Sequence, residues 1–158
     1  MTKLLIAFAA LASLGAAEAA LAQTTSTNDD TQLLISQIQT DKRAVVLRAM
    51  ELTDAEVAVF TPIYDEYQAE MKGLFQRGAD VLNKFAANYG SMTDDAANDI
   101  MKEWFSLRDD RNVVIKKYAK KFGKKMPATD VLRWVQIENK LNALLDIQAA
   151  QVVPVSTK

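Results

Sequence analysis

The chain has 158 residues, 19 of them lysine or arginine against 20 aspartates and glutamates, with 49% hydrophobic residues, which suits one core and is too little for two. It holds no cysteine and no histidine, excluding disulfides, thiol nucleophiles, imidazole bases and Cys/His metal sites, and its 5 glycines and 3 prolines exclude a turn-rich β fold or a glycine-rich phosphate loop. A net charge of -1 gives no basic field for nucleic acid, and the expected class is all-α.

In chain order, Lys3 precedes an apolar run, Leu4 to Ala17, and Ala20-Leu21-Ala22 supplies a small-x-small cleavage pattern. Residues 1–22 therefore read as a secretory signal peptide. The run is shorter than the roughly 20 apolar residues that cross a bilayer, and Glu18 follows it, so export without a stable membrane anchor is expected. Residues 23–30 (QTTSTNDD) contain no apolar side chain and read as a disordered leader. Residues 31–151 are expected to form a single helical domain, and residues 152–158 a C-terminal tail.

Four helices are predicted in that domain. The first spans Gln32 to Met50. The second, from about Thr53 to Tyr89, carries Phe60, Tyr64, Tyr67, Met71, Leu74, Gly78, Val81 and Phe85 in alternating steps of four and three, which places them on one side of a helix. At 1.5 Å per residue this rod would be about 55 Å long and must pack along another. After a break at Asn88 to Ser91, Ala97, Ile100, Trp104, Leu107, Arg111, Val114, Tyr118 and Phe122 repeat the spacing, predicting a long antiparallel hairpin. Gly123 is expected to stop this third helix and Pro127 to start the fourth, over about Ala128 to Ala149, with Val131, Trp134, Ile137, Leu141, Leu144 and Leu145 inward.

Leu52-Thr53-Asp54-Ala55-Glu56 is a capping box, in which the Thr53 hydroxyl accepts the Glu56 amide and the Glu56 carboxylate accepts the Thr53 amide. The five residues also resemble the LTXXQ motif of the Spy/CpxP family of small periplasmic helical proteins, with Glu56 in place of Gln. Family members carry the motif twice, each copy at a helix start. A second copy stands at Met92-Thr93-Asp94-Asp95-Ala96, where Leu has become Met and Gln has become Ala. The resemblance implies a periplasmic location and four helices that dimerise into an elongated or cradle-like shape. It further implies an ATP-independent chaperone or envelope-stress accessory protein that binds partly folded clients, or a regulatory module docking on an envelope sensor protein. A purely structural helical dimer is the remaining alternative. Zinc-responsive members use histidines and, in some, cysteines; both are absent here, and no cofactor is expected.

The charged residues divide along the hairpin. Lys116, Lys117, Lys120, Lys121, Lys124 and Lys125 crowd the end of the third helix, and Glu51, Asp54, Glu56, Asp65, Glu66 and Glu70 the start of the second. This segregation suggests antiparallel self-association or pairing between the hairpin arms. Lys116, Lys117, Lys120 and Lys121 are candidate partner contacts; the alternative is a solvated helix face, since nearly all of these lysines fall opposite the apolar stripe. Asp65 with Glu66, and Asp109 with Asp110, are neighbours that diverge by about 100° on a helix, so neither pair converges as a catalytic dyad or metal clamp requires, and no enzyme or metal site is expected. Phe75 and Phe105 lie at the margins of their stripes, where an aromatic meets either the core or a partner.

Arg111 occupies the centre of the third helix's apolar stripe, where an unpaired guanidinium is costly. Glu138, on the apolar flank of the fourth helix, is the first choice of partner, and Glu70 holds a similar flank on the second. Snorkelling of Arg111 to solvent is the alternative.

Overall fold

The computed structural model describes residues 41–156. Helix α1 covers 41–50. Helix α2, Asp54–Asn88, is followed by a 3-10 turn at Tyr89–Ser91, then by α3, Asp94–Phe122, and α4, Ala128–Val152. Among the described residues the chain is all-α, as expected. The expected signal peptide, the expected leader and the expected start of the first helix at Gln32 lie outside the described residues.

Helices α2 and α3 form the long antiparallel hairpin, and its register is written in ion pairs. Glu66 pairs with Lys121, and Glu70 with Lys117 at 2.6 Å. Further along, Arg77 reaches Asp110 at 2.7 Å and Glu103 at 3.2 Å, and Lys84 reaches Asp99 at 3.2 Å. The charge segregation read from the sequence thus serves pairing between the arms. These pairs are half exposed, so they set register more than they add stability. The Lys117 hydrogen bond holds the Glu70 carboxyl below the usual carboxylate range. Pro62 sits inside α2 without ending it.

Helix α1 runs antiparallel to α2, tied by Arg43 to Asp65 at 2.8 Å, and α4 packs against α3. The core lies where all four helices overlap, in the half of the hairpin nearest Thr53 and Phe122. Phe60, Tyr64 and Tyr67 of α2, Phe122 of α3 and Trp134 of α4 are essentially inaccessible there, joined by Val46 and Met50 of α1. The Trp134 ring lies tilted against Phe122, 4.7 Å between centroids, and meets Tyr67 edge-on at 5.2 Å.

The helix ends follow capping chemistry. At α2 the box is complete: the Thr53 amide donates to Glu56 Oε2 at 2.8 Å, and the Glu56 amide donates to Thr53 Oγ1 at 3.4 Å. At α3 only half survives, the Ala96 amide donating to Thr93 Oγ1 at 3.2 Å, because Ala96 has no carboxylate to return the bond. Glu51 takes the left-handed conformation (φ 55°) as α1 ends, and Arg133 of α4 clasps that end, donating from Nε to the Ala49 carbonyl at 2.8 Å and pairing with Glu51 at 2.8 Å. Gly123 caps α3 in the right-handed region (φ -62°), so its freedom of backbone is not what stops the helix. Pro127 is the residue just before α4. Replacing Thr53 by Ala should cost about 1 kcal/mol in a thermal or urea melt, whereas Glu56→Gln, which keeps an accepting oxygen, should be nearly neutral.

Two stripe positions are corrected. Trp104 and Leu144, expected inward, are 43% and 41% exposed. Trp104 keeps its position on the stripe of α3 but stands on an open cleft that, among the described residues, only Val153, the residue after α4, approaches from outside the hairpin.

Candidate functional site

The buried acid that the sequence nominates is real, but its partner is different. Glu138 is fully enclosed, and Lys42 Nζ of α1 lies 2.6 Å from its Oε2. The Tyr67 hydroxyl donates to Oε2 at 2.7 Å and the Tyr64 hydroxyl to Oε1 at 3.3 Å. Burial first, and the adjacent Glu138 charge second, raise both phenols above their ordinary range. Lys42 is itself buried and makes no aligned hydrogen bond. Its ammonium stands instead over the rings of Tyr67 and Phe75, 5.6 and 5.9 Å from their centroids. The cluster joins α1, α2 and α4.

Arg111 therefore does not pair with Glu138. It points toward Asp146 at 3.6 Å, with 31% of its side chain exposed, because Lys42 and the two tyrosines already occupy the carboxylate. Phe75, a candidate contact residue with core packing as its alternative, is half-buried against the core and forms part of the wall around Lys42. Lys117 and Lys121 are engaged by Glu70 and Glu66, leaving Lys116 and Lys120, both exposed, as the members of the candidate basic group without ion pairs among the described residues. Lys117 and Lys121 also flank the Tyr118 ring at 5.3 and 5.8 Å. Desolvation, and then the neighbouring Glu70, push that phenol up to about 12.

Phe105 is exposed, at 63%, and it has company. In the distal half of the hairpin Val81, Leu82 and Phe85 of α2 face Ile100, Met101, Trp104 and Phe105 of α3, and Val153 arrives from the residue after α4. They line an open apolar cleft of about 220 Å³. Leu82, Met101 and Trp104 are each more than a third exposed, so the cleft walls form an apolar surface and not a closed core. Single exposed hydrophobics are ordinary; four large ones sharing one cleft are a candidate binding surface.

Sequence reading located Phe105 and missed Leu82 and Met101 as its neighbours. It also missed Lys42, although Lys42, Val46 and Met50 recur at steps of four and so share one face of α1. Among the described residues no three acidic side chains converge to hold a metal, and no helix is long and apolar enough to cross a membrane. Comparison with protein-family models, with curated proteins and with solved structures finds no match.

Proposed function

We propose that this protein is a binding protein, not a catalyst, and that it holds apolar segments of partly folded polypeptides on the distal face of its hairpin in a chaperone-like or envelope-stress role after export. The observation that carries this reading is the apolar cleft with Trp104, Phe105, Met101 and Leu82 exposed at its rim. An aromatic and methionine surface is adaptable: Met conforms to varied shapes, and flat rings accept many apolar side chains at small entropic cost. Lys116 and Lys120, exposed on α3, would add affinity for acidic stretches of the same clients. No nucleotide is required, because capture uses surface that is already open. The resemblance of Leu52–Glu56 and Met92–Ala96 to the LTXXQ motif points in the same direction, and with it to a homodimer of cradle-like shape.

The test is aggregation suppression on two unrelated clients, comparing the protein with the pair change Trp104→Ser, Phe105→Ser. Both residues are exposed, so the variant should melt within a few degrees of the parent while losing most of its suppression. Suppression that survives the pair change would place client capture elsewhere. A single saturable partner in place of general suppression would favour the regulatory module docking on an envelope sensor.

A further inference from the structure

The placement of Arg111 leaves a chemical question that polypeptide binding does not answer. The residue lies between Leu107 and Val114, both buried, so its stem is fixed in the seam between α3 and α4. Its head finds only Asp146, and 3.6 Å is too long for a hydrogen bond, so a group with five donors is left with one distant acceptor. The seam opens there into a cleft of about 200 Å³ in which Arg108, Arg111 and Asn112 of α3 face Asn139, Asn142 and Asp146 of α4. Asn142 is 7% exposed, yet among the described residues neither its amide nor the side chains of Arg108, Asn112 and Asn139 form a hydrogen bond or ion pair. The Asn142 side chain is otherwise buried, and its unpartnered amide opens to the cleft and is not sealed in the core, so it is available to an occupant.

The geometry points to a binding site for a small α-amino carboxylate, a zwitterion of the size and charge pattern of a free amino acid. The guanidinium of Arg111, with Arg108 beside it, matches a carboxylate through paired N–H donors. Asp146 stands next to that position and would repel a second negative charge, which disfavours phosphate; it accepts an ammonium group well. In an α-amino carboxylate the two charges are separated by a single carbon, as the neighbouring Arg111 and Asp146 heads require. Asn142, Asn139 and Asn112 can each donate and accept, and they surround the remaining polar atoms. The cleft is smaller than the roughly 300–1,000 Å³ pockets that take drug-sized ligands, which limits the occupant to a few heavy atoms.

The experiment is a titration of the isotope-labelled full chain followed by nuclear magnetic resonance of the Asn142 side-chain amide and the Arg111 Nε–H. Four probes are compared: glycine, acetate, methylammonium and inorganic phosphate. Glycine should shift both signals saturably, with acetate and methylammonium at least about tenfold weaker. Arg111→Lys should weaken glycine binding by about tenfold or more while leaving the fold intact by circular dichroism, since the charge remains and the fork is lost. Asp146→Asn should bring glycine down to the level of acetate. Phosphate or acetate binding as tightly as glycine would overturn the zwitterion assignment, and so would the absence of any saturable shift in the parent or identical glycine binding in Arg111→Lys.

Discussion

Glu138→Leu is expected to destabilise the protein by roughly 3–5 kcal/mol, because it abandons the Lys42 ammonium in a buried setting and removes the acceptor of two phenol hydroxyls. Lys42→Met should be comparably damaging, since it leaves the carboxylate uncompensated. The double change Lys42→Met with Glu138→Leu should recover a large part of either loss: desolvating both ions offsets most of their attraction, and an apolar pair leaves no orphan charge. Urea melts of the four proteins form the cycle. Additive losses would mean that the two residues do not interact across the core. Arg111→Met is the control; it removes a contact of 3.6 Å at a partly exposed site and should change stability by less than about 1 kcal/mol.

Trp134→Ala should cost roughly 3–5 kcal/mol by opening a void between Phe122 and Tyr67, where the indole is wholly enclosed. Trp134→Phe should be far milder. The indole Nε1 is buried without a hydrogen-bond partner among the described residues, so phenylalanine gives up volume but also removes an unsatisfied donor. Thermal melts decide the order, and equal losses for the two variants would mean that the indole nitrogen is satisfied in solution.

The hairpin was legible because its signal is internal to each helix: steps of four and three from Phe60 to Phe85 and from Ala97 to Phe122 define a face without reference to any partner. The Thr53 cap was legible for the same reason, since all its atoms lie within one turn. What periodicity does not specify is which faces meet. Glu138 could be recognised as a buried acid on the flank of α4, but choosing Lys42 over Arg111 as its partner required knowing that α1 lies across α4, and nothing in the spacing of either helix encodes that. The same limit explains Trp104. Its place in the stripe is correct, yet a stripe does not record what lies over it. Phe75, marginal on α2, packs against the core with the ammonium of Lys42, a residue on another helix, over its ring.

The most direct test of a binding surface on the distal hairpin uses the contrast between the two tryptophans. Trp134 is enclosed and Trp104 is 43% exposed, so a Trp134→Phe protein, confirmed to be folded, reports on the apolar cleft alone. Its emission should resemble that of a solvated indole and shift to shorter wavelength, saturably, when a partly folded client is added, because capture on Leu82, Met101 and Phe105 removes water from the ring. Unchanged Trp104 emission while the client is held in solution would contradict capture at this face.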